Sequence, residues 1–250
     1  MHREKELNGL VTRLQEAAGG NLSAVVLYGS AADHEFHEGH SDLNILCLLH
    51  RVDGAALAKL RSVGLSWWHQ GHPIPLVFTL EELRHSADIL AIELLDMKQH
   101  HHMLLGEDFF GDFDVPMTLH RLQVERELST SVTRLRQACL RSRGRRSDVA
   151  ELMIASASTF ATLFRHSLIA LGEAPPASRR AAADRCAALI GFDPAAFHTV
   201  LDLREGKKSL RELNHDQTLA AYLDAVTRVA EEMDRLLVLK SKAESLQLVS

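Results

Sequence analysis

Apolar positions recur every three to four residues over residues 4–18, through Leu7, Leu10, Val11 and Leu14, and predict an opening helix that stops at Gly19-Gly20. The pattern then changes. Residues 21–28 form a short run of apolar and β-branched side chains that reads as a strand, and residues 41–49 form a second, whose unbroken core from Ile45 to Leu49 predicts burial on both faces. A helix is expected over residues 54–63 and a third strand over residues 73–80, with Pro75 placing its first part at an edge or bulge. Leu83, Ile89, Leu90, Leu94 and Leu95 keep helical spacing and predict one helix over residues 81–102, followed by a compact turn over residues 106–111.

After residue 118 the strand pattern is absent. Helices are expected over residues 119–141, from a cap at Ser147 or Asp148 to Leu171, and over residues 178–190, 194–204 and 216–239. The small side chains of Ala155, Ser156, Ala157 and Ser158 would admit a neighbouring helix, as the centre of a bundle requires. Two domains follow, residues 1–115 with alternating helices and strands and residues 116–250 all-helical.

Composition changes this picture little. Of the 250 residues, 46% are hydrophobic and 24% charged, which suits a soluble globular chain. The mixed charges after Met1 lack the apolar core of a secretory signal. The longest apolar stretch, residues 152–164, spans about thirteen positions interrupted by Ser and Thr, short of a bilayer crossing. Cys47, Cys139 and Cys186 are far apart and odd in number, which suits a reducing compartment, so a cytoplasmic location without a membrane partner is expected. Charge is uneven. Residues 1–117 hold 8 Lys/Arg against 17 Asp/Glu and residues 118–250 hold 20 against 16, balances of −9 and +4 that make up the net −5. Such asymmetry suits a cation on one side and a polyanion on the other, or two differently solvated surfaces.

Candidate chemistry concentrates where the first two predicted strands meet. Tyr28-Gly29-Ser30 ends the first, and Asp42-Leu43-Asn44 opens the second twelve residues later. Residues two apart on a strand share a face, so Asp42 and Asn44 would project together toward that bend. Gly29 permits close approach of backbone to phosphate, and Ser30 with nearby amides can donate hydrogen bonds to it. This arrangement resembles the active-site strand pair of the polymerase-beta-type nucleotidyltransferases, which carry Gly-Ser on one strand and Asp-x-Asp or Asp-x-Glu on the next. Order of elements further makes the chain similar to the two-domain aminoglycoside nucleotidyltransferases. The resemblance implies an α/β (α+β) domain with a mixed sheet, an all-α helical bundle, a nucleotide cleft between them, and Mg²⁺ with a nucleoside triphosphate as ligands. Gly29 and Ser30 would contact phosphate, and Asp42 with Asn44 would occupy the catalytic, metal-holding positions.

The departures weigh more. Asn44 brings a neutral carbonyl where the family brings a carboxylate, and the strand expected to carry a third acid, residues 73–80, contains neither Asp nor Glu. One carboxylate supports a Mg²⁺ held chiefly by the nucleotide's phosphates, and not a pair of metal ions. The expected function is therefore Mg-nucleotide binding with transfer weak or lost. One alternative is an active enzyme that modifies a small hydroxylated molecule or a protein with a base drawn from Glu81, Glu82, Glu93 or the helical half. Another is a helical-bundle interaction protein that binds no nucleotide.

Other clusters are weaker. His34, His37 and His40 with Asp42 have the residue types of a transition-metal site on a solvated loop. His100-His101-His102 fits the negative end of a helix, where imidazolium is favoured. Trp67 and Trp68 cannot both face the core. Arg134, Arg136, Arg141, Arg143, Arg145 and Arg146 suit phosphate oxygens or a solvated turn, and without interleaved aromatics they do not make a nucleic-acid platform.

Overall fold

The computed structural model describes residues 2–32, 43–176 and 178–247. The His34–His40 cluster and Asp42 lie outside the described residues. Two compact units divide the chain, Met1–Met117 and Thr118–Ser250.

The first unit is built on a four-stranded mixed sheet in the order β3-β2-β1-β4. Strand β1 (Leu22–Tyr28) follows α1 (His2–Ala18) and pairs antiparallel with β2 (Asn44–Leu49). Helix α2 (Gly54–His69) begins where the Asp53 side chain accepts the Ala56 N–H at 2.8 Å, and it runs six residues beyond the spacing-based limit at Val63. That extension buries Trp67 completely and leaves Trp68 56% exposed, resolving the Trp-Trp pair. Strand β3 (Leu76–Phe78) lies parallel to β2 at the sheet edge. It is much shorter than the expected residues 73–80. Pro73 and Pro75 bring no N–H to a ladder, and Thr79 leaves the sheet to cap a helix, its Oγ1 accepting from Glu82 N–H while the Glu82 carboxylate accepts from Thr79 N–H.

The single helix expected over residues 81–102 is not formed. Helix α3 (Leu80–His85) and helix α4 (Ala91–Gln99) stand in its place, and β4 (His101–Leu105) then pairs antiparallel with β1. His101 and His102 are therefore strand residues and not a helix end.

Alternation along the strands divides two cores. Val25, Leu27, Ile45, Cys47 and Leu49 face α1 and α2, whereas Ala24, Val26, Leu46 and Leu48 pack against Leu83, Leu94, Met97, Phe110 and Phe113. Both faces of the sheet are covered, which is why β2 reads as an unbroken apolar run.

The second unit is helical throughout its described residues: α5 (His120–Arg141), α6 (Arg146–Ala170), α7 (Arg179–Ile190), α8 (Ala195–Arg204) and α9 (His215–Gln247). Helix α6 starts at Arg146, before the expected Ser147 or Asp148 cap, and the N-cap Arg145 supplies no side-chain hydrogen bond. It packs against α5, α7, α8 and α9, so it is apolar around much of its circumference. By length and composition it is the one helix among the described residues that could cross a membrane, and half of its most apolar window is buried in the bundle. Phe197 stacks on Tyr222 at 5.6 Å between ring centres, and the Tyr222 hydroxyl meets Ser156 Oγ at 3.0 Å. His120 and His166 form a buried hydrogen bond of 2.8 Å between α5 and α6.

Candidate active site

The end of β1 carries the densest polar chemistry of the sheet. Tyr28 is opposite Asn44 of β2 on one side and opposite His101 of β4 on the other. Cross-strand partners share a face, so Asn44, Tyr28 and His101 form a row across three strands on the face that also holds Val26, Leu46 and Met103. Helix α4 packs on that face, and Glu93 in its first turn acts on Tyr28 electrostatically.

Directly after Tyr28 the chain turns through Gly29, at φ +77°, into a single 3-10 turn, Gly29–Ala31. Gly29 N–H donates to His100 O at 3.1 Å, and Ala32 N–H donates to Gly29 O at 2.9 Å. A Cβ at position 29 would stand 3.3 Å from Asn44 Nδ2, so the Asn44 amide packs on the glycine itself. Asn44 therefore projects toward the bend at Gly29. Ser30 lies within the same turn by its backbone.

Tyr28 is half-buried, and its phenol is pushed up to about 12, first by loss of solvent and then by the negative charge of Glu93. It stands in the row as a neutral hydroxyl. His101 Nε2–H donates to Asp108 Oδ2 at 3.1 Å. A carboxylate only accepts, which assigns a proton to Nε2. The Nδ1 of the same ring is buried and makes no hydrogen bond among the described residues. Phe110 packs on the imidazole at 4.5 Å, and Phe110 N–H donates to Asp108 Oδ1 at 2.9 Å. The Phe110 N–H, then the His101 contact, hold the Asp108 carboxyl below its usual range. Asp108 thus orients His101 from the solvent side.

Glu82 and Glu81, two other acids considered, stand on α3. Glu82 closes the α3 cap, and Glu81 offers its carbonyl to His85 while its side chain is exposed. β3, the parallel neighbour of β2, carries no acid. Among the described residues no group of three His, Cys, Asp or Glu could hold a metal ion. An amide at Asn44 and a carboxylate from α4 are not by themselves a divalent-ion cage, which wants several hard oxygens and usually carboxylates.

No protein-family model and no curated protein sequence matches the chain. A solved structure does: spectinomycin adenyltransferase AAD(9) from Enterococcus faecialis, crystallised with ATP and spectinomycin, at TM-score 0.52 and 12% identity, covering 89% of this chain and 99% of that one. The chain shares the fold of that adenyltransferase. Asn44 meets the glycine turn, and its expected neighbour Asp42 lies outside the described residues. Two members of the row, Tyr28 and His101, and the His101 partner Asp108 are not among the candidates read from the sequence. The one available signal was the run Met103-Leu104-Leu105 stopped by Gly106, which marks a strand end and would have pulled the histidines into the sheet.

The phenol of Tyr28 supplies a direct check on this packing. The chain has two tyrosines, and burial raises the second, Tyr222, as well. The folded protein is expected to show almost no phenolate absorbance at the ordinary tyrosine value of 10.0, whereas the urea-unfolded chain titrates both groups there. Because the folded pKa of Tyr28 is raised, its contribution to stability is complete below 10.0 and is lost as the pH climbs toward about 12. Normal ionisation of both phenols in the folded protein would contradict the packing described.

Proposed function

We propose that this protein binds a nucleoside triphosphate with Mg²⁺ at the corner formed by Gly29, Ser30 and Asn44, and that nucleotidyl transfer there is weak or lost. The observation that carries the reading is Asn44 itself. It opens β2 beside Gly29, at the site's metal-facing position in the resemblance, and contributes no charge, while β3 beside it adds no acid. In this reading the backbone at Gly29 and Ser30 meets phosphate, and Asp42 supplies the one carboxylate for a Mg²⁺ that arrives with the nucleotide. The fold neighbour's crystal contains ATP and spectinomycin, a nucleotide and a small molecule, which supports a nucleotide ligand and a small-molecule partner here.

The test is calorimetry and thermal unfolding of the full chain with millimolar Mg-ATP, CTP, GTP and UTP. A ligand that binds only the native state raises its stability, by about 2.7 kcal/mol at a concentration one hundred times Kd. A rise in Tm with at least one nucleotide, lost in Asp42→Ala, is expected, with little or no label transferred to small-molecule or protein acceptors. An unchanged Tm with all four would support the interaction-protein reading instead. Rapid Mg²⁺-dependent transfer abolished by Asp42→Ala would establish an intact enzyme.

A second reading is favoured by one specific observation, the buried Nδ1 of His101, without a hydrogen-bond partner among the described residues, on an imidazole held in the polar row by Asp108. An Asp-oriented imidazole is a general base in form, and Glu93 stands above the same row. In an active enzyme these groups, and not a strand carboxylate, would accept the acceptor's proton. Transfer detected in wild type but lost in His101→Gln, with nucleotide binding retained, would select this reading.

A further inference from the structure

On the opposite face of the sheet from the polar row, a cavity of about 260 Å³ opens between α1, α2 and the approach to β3. Its floor is the buried core residues Leu14, Cys47 and Leu60. Its rim is Leu57, Leu65 and Ile74, exposed by 47%, 43% and 58%. These apolar side chains are left in water around an opening instead of closing it. No acidic residue lines the cavity, and the single charged group that does is Arg61, which makes no hydrogen bond or ion pair among the described residues.

Gly64 forms part of the wall. It lies in the interior of α2, where glycine costs about 1 kcal/mol relative to alanine. Packing does not demand it. A Cβ there would meet only Ile74 Cγ2, at an ordinary 3.8 Å, and Gly64 has no positive φ. The effect of the missing side chain is to widen the cavity beside the apolar rim.

We propose that this cavity binds a small amphipathic carboxylate, an aliphatic chain of medium length seated on Leu14, Cys47 and Leu60 with its carboxylate paired to Arg61. The volume is just below the range of about 300–1,000 Å³ typical of drug-sized sites, which suits a chain and not a cofactor. Apolar contact supplies the affinity, and the lone guanidinium supplies the preference for an anion. The inference does not depend on nucleotide binding, because the two sites occupy different faces of the sheet.

Octanoate and octylamine, equal chains with opposite head charge, test it by titration calorimetry on the full-length protein. Saturable binding of octanoate is expected, with octylamine at least about tenfold weaker. Arg61→Gln should weaken octanoate about fivefold and erase most of the preference between the two ligands. Gly64→Leu, which fills the cavity, should abolish binding of both, and Gly64→Ala should weaken it while raising Tm slightly, so that a folding defect is told apart from a blocked site. Absence of octanoate binding, equal binding of the amine, or unchanged binding in Gly64→Leu would each overturn the proposal. Concentration-dependent dimerisation abolished by Gly64→Leu, without octanoate binding, would overturn it in favour of a second copy of the chain as occupant.

Discussion

Asn44→Asp is expected to tighten Mg-ATP binding by about tenfold to thirtyfold and still to leave transfer undetectable. Aspartate has the shape of asparagine, so the contact with Gly29 is kept while a full negative charge replaces an amide. Two unit charges about 4 Å apart interact by about 4 kcal/mol at an effective dielectric of about 20, and partial exposure of the half-buried position reduces that to about 1.5–2 kcal/mol. The gain should vanish when ATP is titrated in EDTA, because the added charge acts through the metal and repels the bare triphosphate. Chemistry stays slow because β3 still contributes no acid. Equal affinity of the variant with and without Mg²⁺ would show that position 44 does not face the nucleotide's cation. Restored rapid transfer would show that the asparagine alone had silenced the site.

Gly106→Ala should destabilise the first unit by about 3 kcal/mol or more. Gly106 ends β4 at φ +87°, a region that costs an L-residue about 1–2 kcal/mol. The added methyl would also lie 2.6 Å from Ser23 O and 3.0 Å from Ala24 Cβ, against a strand that cannot recede because α3, α4, Phe110 and Phe113 pack behind Ala24. Relief requires β4 to move away from β1 and so displaces His101 from its place opposite Tyr28. Urea unfolding followed by tryptophan emission reads this cleanly, since both tryptophans, Trp67 and Trp68, lie in the first unit. A midpoint within error of wild type would mean that the close approach at Gly106 does not exist in solution.

The parts of the fold visible in the sequence are those whose cause is local. β1 and β2 announce themselves by continuous apolar side chains, because both faces of the sheet are covered, and strand periodicity alone puts Asn44, Leu46 and Leu48 on one face. β4 is different. His101-His102-Met103-Leu104-Leu105 contains no β-branched residue, and its extended form is imposed by pairing with β1, nearly eighty residues earlier. The break between α3 and α4, residues 86–90, holds neither Gly nor Pro. Helical spacing therefore ran on through it and carried the histidines to the wrong element. Tyr28 was legible as part of a motif, but its place between Asn44 and His101 depends on the register of two ladders, which no single segment encodes. That Asn44 carries an amide is visible without the fold, because residue type, unlike register, needs no partner to be seen.

The order β3-β2-β1-β4 has a consequence for biosynthesis. The second strand laid against β1 is the last to leave the ribosome, so until Leu105 has emerged one side of Leu22–Tyr28 offers its amides and carbonyls to any passing extended chain. At about 5–20 residues per second, several seconds separate Tyr28 from its second neighbour. Nascent polypeptide halted in that interval carries an open hydrophobic ladder and is the species that a chaperone would most need to shield.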